Sequence, residues 1–165
     1  EVGPKAVLSR LVTKILAVYD EPFVLVNGQG GLDAASRALI QSLNPAFISV
    51  LGASDTISAA LLADLQGIAT VEQFNDPDAS VRSAEVWSYM TSSTWVSLAT
   101  SGAFPDALTA TPFSALAPPS PLMLVPGTCV PAAVRTTITR LGTTNLALFG
   151  GPAALDPAVE SLTPC

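Results

Sequence analysis

A pattern that returns at a fixed spacing constrains this chain more than any single motif in it. An apolar run, an amphipathic stretch, a second apolar run and a small-residue turn occur twice. The first pass reads Pro22-Phe23-Val24-Leu25-Val26, then Leu32 to Leu43, then Ile48-Ser49-Val50-Leu51-Gly52. The second reads Pro121-Leu122-Met123-Leu124-Val125, then Val130 to Leu141, then Leu146-Ala147-Leu148-Phe149 and Gly150-Gly151. Arg37 and Arg135 stand 98 positions apart, and so do Leu43 and Leu141. Similarity at a constant offset marks a supersecondary unit used more than once.

Short, wholly apolar runs are the mark of strands buried on both faces of a parallel sheet. Such a run stands at Phe23–Val26; further strands are expected at Phe47–Leu51, Trp95–Ala99, Leu122–Val125 and Leu146–Phe149, and one nearer a sheet edge at Ala69–Phe74. Helical spacing fills the intervals. Val7, Leu8, Leu11, Val12, Ile15 and Leu16 predict a helix over Ala6–Tyr19, stopped by Pro22. Further helices are expected from Asp33 to Leu43, from Ser54 or Asp55 to Leu65, and from Ala79 to about Met90. Pro105 and Asp106 open another, Pro131 opens one that Gly142 ends, and a last helix is expected over Asp156–Leu162. The strand–helix alternation predicts an α/β fold, a parallel sheet of roughly six strands with helices on both faces. The building block would be a pseudo-repeated Rossmann- or toprim-like unit, with the boundary between passes near Gly67–Val71.

Composition excludes several functions. Lys and Arg number 7 against 13 Asp and Glu, for a net charge of −6. Nucleic-acid binding by phosphate neutralisation needs the opposite balance. No histidine is present, which removes the commonest general base and metal ligand. No catalytic residue, metal site or cofactor is therefore expected. The charged fraction, 12%, is about half the usual share, so much of the surface must be neutral. That suits a protein working outside the cell or packed against a partner. No apolar run approaches the ~20 residues of a membrane span. Glu1 is not followed by a charged-then-apolar leader, so an export signal is expected to have been removed or to lie outside the sequence.

In open parallel sheets, ligands sit beyond the carboxyl ends of the strands. The turns expected there supply the candidate binding residues: Asn27, Gly28, Gly30, Gly31, Ser101, Gly102, Asp106, Gly127, Thr128, Gly150 and Gly151. The Gly28–Gly31 turn enters a helix, and its N–H groups would suit an anionic oxygen, or its glycines serve only steric needs. Asp106 either accepts hydrogen bonds from sugar hydroxyls or caps its helix. Gly150-Gly151 fits a close helix approach. Trp87 and Trp95 either stack on sugars or pack in the core. Ser101 has no histidine to activate it, and a Ser–Lys pair would need Lys5 or Lys14, both on the outward face of the first helix.

Cys129 and Cys165 read as two unrelated thiols in a cytosolic protein and as one disulfide in an exported one. Cys129 follows a strand and Cys165 follows the last helix, so a bridge requires that helix to be short or tilted. If formed, it would contribute roughly 3–4 kcal/mol.

Five phrases carry a family resemblance: Trp95-Val96-Ser97-Leu98-Ala99, Phe104-Pro105-Asp106-Ala107-Leu108, Pro121-Leu122-Met123-Leu124-Val125, Arg140-Leu141-Gly142 and Phe149-Gly150-Gly151. Together, over about Val71–Leu162, they resemble the bacterial type 2 cell-wall-binding repeat of clostridial surface-layer and cell-wall proteins and of many exported actinobacterial proteins. On that resemblance, residues 69–165 are a complete module. Residues 1–68 are the last two-thirds of a preceding one, tightly abutted and without the Phe-x-Asp-Ala-Leu phrase. The resemblance implies a secreted, non-catalytic module that holds a protein on the cell wall through a wall polymer or glycan. Another copy or another envelope protein is a possible further partner. An envelope protein–protein interaction domain is the alternative function, and a Rossmann-like small-ligand binder the second alternative.

Overall fold

A computed structural model describes residues 22, 24–116 and 120–165. The helix expected at Ala6–Tyr19, with Lys5 and Lys14, lies outside them, as does Phe23. The described residues form two compact units, 22–77 and 78–165.

The unit at 22–77 runs α1 (Ala34–Leu43), β1 (Phe47–Leu51), α2 (Ala59–Gln66), β2 (Thr70–Phe74). The two strands pair in parallel, Phe47 opposite Thr70 and Leu51 opposite Phe74. Leu32, Ile40, Val50, Leu61 and Leu65 form the core, with Val24, Val26 and Val71 packed on it. Local chemistry sets the helix ends. Asp33 accepts the Ser36 N–H at 2.8 Å, and Asn44 closes α1 in the left-handed region at φ 47°. Ser58 Oγ accepts the Leu61 N–H, so α2 begins at Ala59 rather than at Ser54 or Asp55. The strand expected at Phe23–Val26 does not form over the described Val24–Val26. Leu25 there is 68% exposed, which a strand covered on both faces would not allow.

The unit at 78–165 runs α3 (Ala79–Glu85), β3 (Trp95–Thr100), α4 (Phe104–Leu116), β4 (Leu122–Val125), α5 (Ala132–Arg140), β5 (Asn145–Phe149), α6 (Pro157–Glu160). Its sheet is parallel throughout, ordered β4-β3-β5. Alternate residues of each strand face opposite sides. Val96, Leu98, Met123 and Val125 pack with Ala84 of α3, Val134 and Ile138 of α5 and Val159 of α6. Ala99, Leu122 and Leu124 pack with Ala107 and Ala110 of α4 on the other side. Helices therefore cover both faces of this sheet.

The single sheet of about six strands is not what forms. The described residues hold five strands, two in one sheet and three in the other. The reason at the outer edge of β4 is local. Ser83 Oγ of α3 accepts the Leu124 N–H at 2.9 Å, and Trp87 Nε1 just beyond α3 donates to the Leu122 carbonyl at 3.1 Å. These side chains occupy ladder positions that a neighbouring strand would need.

Corresponding elements of the two units keep the offset read in the sequence. Ala34 and Ala132, Phe47 and Asn145, and Ala59 and Pro157 begin α1 and α5, β1 and β5, α2 and α6, each pair 98 positions apart. A backbone bond is matched too. The Ser58 N–H donates to the Gly28 carbonyl, and the Asp156 N–H donates to the Gly127 carbonyl, both at 2.7 Å.

Candidate functional site

The carboxyl ends of β3, β4 and β5 bring three loops together. After β3, the Ser101 N–H donates to the Val125 carbonyl at 2.8 Å and the Gly102 N–H to Thr100 Oγ1 at 3.1 Å. The first bond ties the β3 loop to the end of β4. The loop after β4 carries Gly127 and Thr128. A methyl group on Gly127 would stand 2.5 Å from the Ala154 carbonyl oxygen, so only glycine allows this approach. After β5, Gly150 has φ 141°, and a methyl there would stand 3.0 Å from Asp106 Oδ2. That distance sets the carboxylate at the start of α4 beside the β5 loop.

Of the residues singled out in the sequence, Ser101, Gly102, Asp106, Gly127, Thr128, Gly150 and Gly151 thus lie at one end of one sheet. The cluster offers two exposed hydroxyls at Ser101 and Thr128 and the half-buried Asp106 carboxylate. It holds no cation. Such a set suits the hydroxyls of a polyol or sugar better than an anion, because a carboxylate accepts from O–H groups and repels negative charge.

Asn27, Gly28, Gly30 and Gly31 belong to the other unit. Asn27 Oδ1 accepts the Gln29 N–H at 3.1 Å, Gln29 Nε2 donates to the Asp55 carbonyl at 2.8 Å, and Ser58 Oγ donates to the Gly30 carbonyl at 2.9 Å. A methyl on Gly28 would stand 1.9 Å from the Thr56 carbonyl oxygen, and one on Gly31 would stand 2.8 Å from Asp64 Oδ2. The Leu32 N–H at the end of this turn donates to that same Asp64 oxygen at 2.8 Å. Arg37 pairs with the other Asp64 oxygen at 2.6 Å. The anion held here is one of the chain's own carboxylates. The Leu32 N–H and then the Arg37 guanidinium hold the Asp64 carboxyl below its usual range. Sequence reasoning passed over Asp64. Its signal is the one acid in the apolar helix Leu61-Leu62-Ala63-Asp64-Leu65.

Trp87 is a core residue at 2% exposure. Trp95 lies against Phe113 at 6.2 Å between ring centroids, and Phe113 lies 5.4 Å from Phe149. Cys129 and Cys165 form a disulfide, with Cα atoms 5.0 Å apart. The last helix is short, as the bridge demands: α6 stops at Glu160, and Leu162 turns the chain at φ 54°. Thr163 then accepts the Val130 N–H at 2.8 Å, and Pro164 bridges Val130 in parallel. The chain end is thereby brought back to the loop after β4. Among the described residues, no helix is long and apolar enough to cross a membrane.

A parallel α/β module, its strand ends gathered under three loops and its terminus stapled to one of them, is the class these features define. Residues 68–160 match the family Cell wall binding domain 2 (CWB2), and the chain belongs to that family. Two solved structures share the fold. Cwp6 from Clostridium difficile aligns at TM-score 0.76 and 17% identity, over 97% of this chain and 26% of that one. Cwp8 from Clostridium difficile aligns at TM-score 0.74 and 20% identity, over 94% and 27%. The chain thus spans about a quarter of the length of these two proteins. No curated protein sequence matches it significantly.

Proposed function

We propose that this chain is an exported, non-catalytic module that attaches to the bacterial cell wall through a wall polymer or glycan. The observation that carries the reading is the family match over residues 68–160, which spans every strand of the three-stranded sheet and the loops at its carboxyl end. In this reading, Asp106 and the backbone of Ser101, Gly102, Gly127, Thr128, Gly150 and Gly151 receive the hydroxyls of the ligand. Asn27, Gly28, Gly30 and Gly31 form the corresponding surface of the earlier unit. The absence of histidine from the sequence and the lack of an activating base for Ser101 speak for binding without chemistry.

Residues 1–68 are proposed as the last two-thirds of one module and 69–165 as a complete one. The 98-residue offset supports this, since it recurs in the starts of helices and strands and in the donors, Ser58 and Asp156, of two like backbone bonds. Both would be copies of one Rossmann-like unit. Sedimentation of the purified chain with walls stripped of protein tests the proposal. Retention supports it, and a protein left wholly in the supernatant refutes it.

A second reading, a contact with another copy or another envelope protein, is favoured by one observation. Leu25, Leu39, Leu43 and Phe47 of the unit at 22–77 are all more than 40% exposed. Apolar side chains gathered into one exposed patch mark an interaction surface, and these four are the candidates for one. Crosslinking in which the chain stays monomeric and captures no envelope protein would set this second reading aside.

A further inference from the structure

β5 stands at the end of the order β4-β3-β5, and among the described residues no strand pairs with its outer edge. One bond fixes the direction of its backbone groups. The Asn145 N–H donates to the Thr94 carbonyl at 3.0 Å. Backbone groups alternate between the two sides of a strand, so Asn145, Ala147 and Phe149 face β3. Leu146 and Leu148 turn their N–H and C=O groups outward.

Burial agrees with this. Val96–Thr100 and Leu122–Val125 are buried throughout, while Leu146–Phe149 are half-buried. Nothing in β5 guards the edge. Asn145–Phe149 contains no charge and no proline, the usual means by which an edge strand discourages pairing. The opposite edge of the sheet, at β4, is closed by Ser83 and Trp87.

The unit at 22–77 shows what such an edge receives. β1 begins 98 positions before β5, and α1 and α2 begin at the same offset from α5 and α6. The Gly52 N–H donates to the Phe74 carbonyl at 3.1 Å, so Ile48, Val50 and Gly52 turn their backbone groups to β2. Their counterparts at the offset are Leu146, Leu148 and Gly150, on the side of β5 that faces away from β3. β2 therefore occupies on β1 the edge that is open on β5. Handedness gives the same answer. α2 packs in one core with α1, and α6 in one core with α5. A right-handed crossover through either helix delivers the next strand to the same edge. In the unit at 78–165 the chain leaves that path early. α2 has 8 residues and α6 has 4, after which Leu162 turns the chain and Thr163 bonds Val130.

We infer that the outer edge of β5 is an interaction surface for a parallel strand, and that its partner is the first strand of a further module of this kind, the counterpart of β2. The β1–β2 register sets the counterpart of Thr70 opposite Asn145 and that of Phe74 opposite Phe149. Phe149, 5.4 Å from Phe113, then gains an aromatic neighbour across the ladder. The counterpart of Val71 stands opposite Leu146, as Val71 stands opposite Ile48. The inference rests on the equivalence of the two units proposed above and is independent of the wall ligand.

The test appends to the full chain a flexible Gly/Ser linker and a second copy of Ile68–Phe74. About twelve linker residues reach ~40 Å, more than the ~17 Å along β5 and the ~14 Å across three strand positions. Amide exchange is followed by NMR at Leu146 and Leu148, and the melt by tryptophan fluorescence. The tail is expected to slow exchange at these two amides about tenfold or more, because each gains a ladder acceptor. Ala147 and Phe149, which already face β3, should change less. The Tm of residues 78–165 should rise by about 4 °C or more. The same tail with Glu72→Pro in the copy should do neither, because proline cannot donate to a ladder.

Unchanged exchange at Leu146 and Leu148, or equal protection by the proline tail, overturns the proposal. Protection that grows with the concentration of the untailed chain assigns the edge to a second copy and overturns it too. Sedimentation of the untailed chain with stripped walls is scored separately. Tail-dependent protection in a chain that does not sediment keeps the edge and removes wall attachment. Sedimentation without protection does the reverse.

Discussion

Removing the Cys129–Cys165 bridge should lower the stability of residues 78–165 by an amount its loop length sets. The two cysteines are 36 positions apart, and α5, β5 and α6 all lie within the closed loop. The loop-entropy relation for that length gives about 4 kcal/mol at 25 °C. The folded state would change little, because the Val130–Thr163 hydrogen bond and the Val130–Pro164 bridge hold the terminus independently of the sulfurs. The effect therefore acts through the unfolded chain, which the bridge restricts. With an unfolding entropy near 2.1 cal/mol/K per residue, a unit of this size should lose about 20 °C in Tm.

Trp87 and Trp95 are the only tryptophans in the sequence and both belong to this unit, so their fluorescence reports its melting without interference from residues 22–77. The assay compares wild type, the Cys129→Ser/Cys165→Ser double variant, and wild type in reductant. The last two should melt together, well below the first. A fall of less than about 5 °C would show that the unfolded chain is already restricted in this region, and the loop-entropy reasoning would be wrong.

Other expectations concern single contacts. Ser83→Ala leaves the buried Leu124 N–H of β4 without an acceptor and should cost about 1–3 kcal/mol in urea unfolding followed by tryptophan fluorescence. Gly28→Ala and Gly127→Ala each place a methyl against a carbonyl oxygen, at 1.9 and 2.5 Å. Each should destabilise its own unit by about 2 kcal/mol or more, Gly28→Ala the more severely, as read by circular dichroism melts. Asp64→Asn should lower the melting temperature of residues 22–77. Because the folded carboxyl titrates below its ordinary 3.8, its contribution is complete above that pH and is lost as the pH falls through the folded value. The gap between wild type and variant should therefore close only below about pH 4, and a gap independent of pH down to 2 would contradict the assignment.

Much of the fold was legible because its signals are local. Four apolar residues between proline and proline, Leu122–Val125, are too short a run for a helix and form the buried strand β4. The helix starts expected at Asp33, Ala79 and Asp156 fall within a residue of those found, and Asp33, Asp78 and Asp156 cap them through contacts within three residues that need no distant partner. The helix expected to run from Ala79 to Met90 stops at Glu85 and continues as turns, because the Trp87 indole and the Trp87 and Met90 carbonyls are committed to β4 and to Arg140. Those partners lie far along the chain and leave no local trace. The run at Val24–Val26 misled for the complementary reason. Its composition matches Leu122–Val125, yet composition does not say whether a neighbouring strand is there to pair with it.

The candidate site divides in the same way. The turns at Ser101-Gly102, Gly127-Thr128 and Gly150-Gly151 could be placed at strand ends from the order of elements alone. That Asp106 lies beside Gly150 is a fact of the packed loops. The Gly28–Gly31 turn could be read as an anion cradle or as a steric necessity; Gly28 is held by the Thr56 carbonyl, and Asp64, 32 positions beyond Leu32, is the anion that lies beside the turn.

By itself the sequence determined the alternation of elements, the 98-residue periodicity, the helix caps and the cysteines available for a bridge, since propensity, capping and spacing act over a few neighbouring residues. Tertiary structure decided how many strands share a sheet, which glycines are steric, where Cys165 meets Cys129, and that Arg37 and Asp64 pair. Those outcomes depend on groups tens of residues apart, and only packing determines which of them meet.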